Sequence, residues 1–222
     1  MAMKTLDELA LLHGADKAST RHNYTVKYDR MLTPKRQSAR KILEIGVAGG
    51  SSLKMWRDYF PNAQVYGMDI NPDCARHAGE RITVIIGDQG NRMDLAKLAE
   101  KGPFDLILDD GSHFYPHQIT SFEALWDSVI VSGLYIVEDI FTSYWQGWGE
   151  GITAVDYFRR VVDYVNFMGT MTPDLTRRES LIVPMLAGKA NYPTNIQSVA
   201  FYNGFIVLEK NIPTVIRRPR VK

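Results

Sequence analysis

Residues 41–51 read KILEIGVAGGS. Ile42, Leu43 and Ile45 make a compact apolar run of strand length. The stretch from Gly46 to Gly50 is a turn of small residues, and residues 51–60, SSLKMWRDYF, resume with apolar positions at helical spacing. Strand, glycine turn and helix together open a βα unit. Four further strand-like runs follow: QVYGMDI (64–70), ITVIIGD (82–88), FDLILDD (104–110) and LYIVEDI (134–140). Each is separated from the next by enough chain for a crossover, although the helix before ITVIIGD is short and weakly marked. Repeated β-α alternation predicts an α/β fold built on a parallel, doubly wound sheet with right-handed crossovers. Residues 198–210, SVAFYNGFIVLEK, are two strand runs around Asn203-Gly204, a strong hairpin signal.

At the other end, residues 4–14 predict a short amphipathic helix with Leu6, Leu9, Ala10 and Leu12 on one side. Tyr24, Tyr28 and Leu32, spaced by four, predict a second helix, and the segment before the first strand reads as a cap over the sheet edge. The 222 residues suit one domain, 1–222. Its parts are an N-terminal helical cap (1–38), a core (39–148), a helix with a variable loop (149–197) and a terminal hairpin (198–211). The loop carries Pro173, Pro184 and Pro193, and the final RRPRVK reads as a solvated tail.

Lys and Arg total 26 against 25 Asp and Glu, a formal charge of +1, so no general attraction to nucleic acid or to an anionic membrane is expected. A lone cysteine, Cys74, forms no internal disulfide, and no apolar run reaches membrane length. A cytoplasmic protein without a membrane span is the expectation.

The chemistry-bearing residues stand at strand ends. Asp109-Asp110 and Glu138-Asp139 close two of the strand runs, and parallel strands bring their carboxyl ends to one edge, where these acids can meet a ligand or cation. Asp69 ends the second run, placed to accept the hydroxyls of a ribose. His113 follows Asp110 by three residues and is a candidate base. A plainer reading of Asp109 and Asp110 is that they cap the following helix. The glycine turn matches the GxGxxG fingerprint only imperfectly.

The set LEIGVAGG with Glu44, YGMDI with Asp69 and IIGDQ with Asp88 and Gln89 resembles class I S-adenosylmethionine-dependent methyltransferases. The resemblance implies a Rossmann-like, mainly parallel seven-stranded sheet with an antiparallel C-terminal hairpin. It implies that Glu44, Gly46, Gly49, Ser51, Asp69, Asp88 and Gln89 bind S-adenosyl-L-methionine. A narrower likeness runs over residues 10–148. The elements GADKAST, LILDDGSH and LYIVED resemble the metal-dependent sugar O-methyltransferases of macrolide biosynthesis, with rhamnosyl O-methyltransferases and cephalosporin hydroxylase-like proteins as relatives. That likeness implies Mg2+ on Asp110, Glu138 and Asp139, His113 as base with Asp110 beside it as a catalytic group, Asp109 near the amino group of the methionine moiety, and a homo-oligomer. A sugar hydroxyl is a poor nucleophile, so removal of its proton and stabilisation of the alkoxide are what such a set would supply.

The partner implied is a small-molecule or oligosaccharide acceptor. Tyr24, Tyr144 and Trp145 are candidates to touch it, with core packing as the competing reading of the aromatics. Lys17 belongs to the same polar segment as Tyr24, while His117 and Gln118 read as helix surface or as groups behind the site. Trp56 and Phe60 read as core. Three alternatives stay open: a catechol-like acceptor; an iron oxygenase, disfavoured because one His stands at the acidic edge; and a binding module without catalysis.

Overall fold

The computed structural model describes residues 3–169 and 195–211. Among the described residues the strands are β1 (Lys41–Ile45), β2 (Gln64–Asp69), β3 (Ile82–Ile86), β4 (Phe104–Asp109), β5 (Val129–Glu138), β6 (Ile196–Phe201) and β7 (Phe205–Lys210). They form one sheet in the order β3-β2-β1-β4-β5-β7-β6. β1 to β5 pair in parallel, and β7 runs antiparallel between β5 and β6. The winding direction reverses between β1 and β4, and ligands of open α/β sheets bind outside that switch point.

Helices α1 (Leu6–His13), α2 (Thr25–Leu32) and α3 (Ser51–Tyr59) cover one face, where Leu6, Tyr28 and Trp56 are fully buried. Helices α4 (Arg92–Ala99), α5 (Tyr115–Leu125) and α6 (Ala154–Gly169) cover the other, around Leu95, Phe122 and Phe158. The weakly marked crossover between β2 and β3 is a short 3-10 helix, Pro72–His77. Among the described residues no helix is long and apolar enough to cross a membrane.

The cap is built from local signals. Thr5 and Glu8 form a capping box, each side chain accepting from the other's backbone amide, and Gly14 ends α1 at φ 71°. Leu12, expected on the apolar side, is instead 60 % exposed. The stripe that packs is Leu6, Leu9 and Ala10, and at 3.6 residues per turn position 12 falls outside it. Tyr24 and Tyr28 pack edge-on against Phe205 of β7, with ring centroids 5.1 and 4.8 Å away, which ties the cap to the far half of the sheet. Trp56 and Phe60 are core, as read from the sequence. Most of the expected loop, residues 170–194 with its three prolines, and the basic tail lie outside the described residues; Ile196 already begins β6.

Phe122 meets Trp126, Tyr135, Tyr157 and Phe158 at centroid distances of 5.1–6.2 Å and is fully buried. Its removal leaves a cavity that these four rigid groups cannot all close. Phe122→Ala should cost about 3–5 kcal/mol in denaturant unfolding; a loss under about 1 kcal/mol would mean that this face is loosely packed.

Candidate active site and metal centre

Strand register sets the site. Ile45 of β1 lies beside Asp109 of β4, and Asp109 beside Val137 of β5, so Gly46, Asp110 and Glu138 follow at one level of the edge. The Asp110 amide donates to the Ile45 carbonyl at 2.9 Å. A Cβ on Gly46 would stand 2.1 Å from the Asp110 carbonyl oxygen, and its φ is 93°, so only glycine fits where the turn passes over β4. His113 and Asp139 hold φ of 55° and 53°, a costly conformation for residues with side chains. It aims both at the same opening.

That opening is a cavity of about 570 Å³. Gly46, Gly49 and Ser51 line one side, Asp69, Asp88 and Gln89 another, and Asp110, His113 and Asp139 a third. Gly14, Ala15, Asp16, Arg21 and His22 of the cap close it from above. Asp69 accepts from the amides of Val47 and Ala48 at 2.9 and 3.0 Å through one oxygen and from Asn71 at 2.9 Å through the other. Burial opposes its charge, yet these amides hold its carboxyl below the ordinary range. Asp88 accepts from Gly90 at 2.7 Å.

The acids at the edge are of two kinds. Asp110, His113 and Asp139 bring ligand atoms within 4.8 Å of one another, with His113 Nε2 3.6 Å from Asp139 Oδ2. Glu44 and Glu138 lie deeper, essentially without solvent contact, and do not line the cavity. Lys17 reaches in between: its Nζ contacts Asp110 directly and lies 3.1 Å from Glu138 Oε2 and 3.3 Å from Glu44 Oε1. Burial pushes the Asp110 and Glu138 carboxyls above the ordinary range and Lys17 works against it. Burial likewise opposes the charge on Lys17, but the acids outweigh it and keep the proton on well above the usual lysine range. Glu138 Oε1 is buried without a hydrogen bond of full geometry. The carboxylate oxygens of Asp110 and Asp139, with the Glu138 oxygen that Lys17 does not hold, are of the kind a hard cation such as Mg2+ prefers.

Several expected placements are corrected. Asp109 does not reach the cavity: side chains alternate across a strand, so it turns to the α5 face and is held by Gln89 and Ser121. Gln89, in turn, braces the DDGSH turn by accepting from the Ser112 amide at 2.9 Å. Tyr24 is 4 % exposed and gives its hydroxyl to Asp139 at 2.9 Å, which commits it to a carboxylate. Tyr144 and Trp145 are exposed and outside the cavity lining. Gln118 is buried and donates to the Glu138 carbonyl at 2.9 Å, while His117 lines the cavity. A second histidine also reaches the acidic edge, since His22 Nδ1 lies 3.6 Å from Asp139 Oδ1. The roles of Lys17 and His22 depend on the cap folding over the sheet, which local pattern does not report.

No protein-family model matches the chain. Among characterised proteins it is 36 % identical over 217 residues to 8-demethyl-8-alpha-L-rhamnosyl tetracenomycin-C 2'-O-methyltransferase of Streptomyces olivaceus, covering 91 % of this chain and 53 % of that protein. It is 42 % identical over 153 residues to mycinamicin VI 2''-O-methyltransferase of Micromonospora griseorubida, covering 65 % and 38 %. Among solved structures, MycE methyltransferase from the mycinamycin biosynthetic pathway, in complex with Mg, SAH and mycinamycin VI, superposes with TM-score 0.80 at 32 % identity, over 97 % of this chain and 57 % of that one. The chain spans about half the length or less of the curated relatives it matches.

Burial raises the Asp109 carboxyl to about 7, partly offset by Ser121 and Gln89. A carboxyl raised in the folded state favours folding while protonated, and that contribution is lost as pH climbs from 3.8 to about 7. Asp109→Asn, which keeps the shape and does not ionise, should therefore gain stability relative to the parent over that window in metal-free buffer. A difference that stays constant with pH in denaturant titrations would show that Asp109 ionises normally.

Proposed function

We propose that this homologue of the sugar O-methyltransferases, with its class I S-adenosylmethionine-dependent methyltransferase fold, transfers a methyl group to a sugar hydroxyl of a small-molecule or oligosaccharide acceptor. The observation that carries the reading is the meeting of Asp110, His113 and Asp139 at the mouth of a cavity floored by the glycine turn and Asp69.

S-adenosyl-L-methionine fits the floor. The turn from Gly46 to Gly49 leaves room for close approach, Ser51 starts α3 at its edge, and Asp69 and Asp88 offer carboxylate oxygens where the hydroxyls and amine of a nucleoside can donate. Glu44 supports this floor from below by accepting from Ser52 at 2.6 Å. Asp110, Glu138 and Asp139 are the residues that would hold Mg2+, which when bound supplies a Lewis acid that lowers the pKa of a sugar hydroxyl. Glu138 would join that set through Oε1, since Lys17 holds Oε2. His113 takes the hydroxyl proton on its imidazole, and Asp139 faces the charge the ring then gains. The hydroxyl oxygen forms its bond to the methyl carbon as the carbon–sulfur bond breaks, so the positive charge on sulfur is discharged and one proton is left on His113. Tyr24 fixes Asp139, and the exposed Trp145, packed against Phe141 and Trp148, with the exposed Tyr144 beside it in the chain, offers a rim on which a sugar or its aglycone can stack.

A labelled methyl donor assayed against a panel of glycosides tests the reading. Turnover should need Mg2+ and disappear with chelation. Asp110→Ala should lower kcat at least about 100-fold with donor affinity nearly kept, His113→Ala should lower kcat with little change in donor Kd, and Asp69→Ala should chiefly weaken donor binding. Turnover that survives both chelation and Asp110→Ala would remove the metal from the reaction. Iron retained on purification, with His22 and His113 flanking Asp139, would instead favour an oxygenase.

A further inference from the structure

The reaction described above makes no use of Lys17, yet it is among the most deeply placed charges in the protein. Its side chain is 1 % exposed, and its ammonium meets one carboxylate from the end of each of three strands: Glu44 of β1, Asp110 just past β4 and Glu138 of β5. It donates hydrogen bonds to Asp110 and Glu138 and stands in ion-pair range of Glu44, with the more exposed Asp16 at 4.0 Å. Among the described residues no other Lys, Arg or His nitrogen lies within 4.0 Å of any of these three carboxylates. The Lys17 backbone is engaged too, its carbonyl accepting from the amides of Tyr24 and Thr25 at 3.0 and 3.2 Å, where α2 begins. One residue thus joins the buried acids to the segment that roofs the cavity.

We propose that Lys17 is the resident counter-ion of this centre, a positioning residue whose ammonium keeps Glu44, Asp110 and Glu138 gathered while no divalent cation is bound. Parallel register sets Asp110 level with Glu138 and puts Glu44 two residues behind them on the same face, where their mutual repulsion in a dry environment would otherwise spread the strand ends or drive the side chains out. The ammonium prevents this and pins the cap across the edge. It also shares Asp110 and Glu138 with the proposed Mg2+ set, so lysine and metal draw on the same carboxylates. The counter-ion role stands on the metal-free geometry alone; only its exchange with Mg2+ rests on the functional reading above.

Lys17→Met keeps the length and the apolar stem and removes the charge. In chelator, calorimetry should show its Tm lowered by roughly 10 °C, the consequence of leaving buried charges without their partner. Adding MgCl2 alone should recover more than half of that gap, and should shift the parent protein less. In the Lys17→Met background, Glu138→Gln removes one of the repelling charges and should raise Tm, whereas Glu138→Gln in the parent should lower it or leave it unchanged. A Lys17→Met protein as stable as the parent in chelator overturns the proposal, and so does a loss that neither Mg2+ nor Glu138→Gln relieves. Recovery by Glu138→Gln without recovery by Mg2+ keeps the counter-ion and counts against the metal reading. Should Lys17→Met alone fail to fold, soluble folded Lys17→Met/Glu138→Gln supports the proposal, and failure of both variants in chelator and in Mg2+ overturns it.

Discussion

Carboxylates cannot be gathered out of water without positive charge among them, and that constraint organises this protein. The cost of desolvating even one such group is several kcal/mol unless a partner compensates it. Here the register of β1, β4 and β5 leaves no choice about where Glu44, Asp110 and Glu138 stand. Lys17 supplies part of the compensation from a segment that precedes the first strand, so the chemistry at the sheet edge and the docking of the cap are one energetic problem. Tyr24 extends the same coupling to Asp139, and its ring packs on Phe205, so the carboxylate edge, the cap and the terminal hairpin share contacts.

Around that centre the backbone is held in conformations it would not choose freely. Gly46 passes so close to Asp110 that no side chain fits, and His113 and Asp139 carry positive φ side by side at the opening. Such strain persists only where neighbours over-determine it. The neighbours are visible: Thr142 donates its hydroxyl to the His113 carbonyl at 2.8 Å, and Gln89 holds the amide of Ser112. In the proposed reaction, side chains fixed this way would need little reorganisation when an acceptor arrives, which is how a rigid site turns binding into rate.

Pattern in the chain was enough to read the architecture. Each βα unit announces itself within about thirty residues through a change of period, and the hairpin through Asn203-Gly204. The acids at the strand ends were legible for the same reason, because the end of a parallel strand is a position in space as well as in sequence. Legibility failed where a side chain's partner is remote. Asp109 and Asp110 are adjacent in the chain, but the pleat sends the first to Ser121 and only the second to the cavity. Tyr24, expected to meet an acceptor, is spent on Asp139, and Leu12, counted on the apolar side of α1, is exposed.

The amino-acid sequence by itself determined the order of elements, the glycine turn and the set of acids that reach one edge, since these follow from local periodicity and the direction of parallel strands. Tertiary structure alone decided which acids face the cavity and which are buried behind it, that Lys17 stands among them, and that His22 comes to Asp139. Those pairings join residues about 27 to 121 positions apart, and burial and charge compensation select them only after the cap has closed on the sheet.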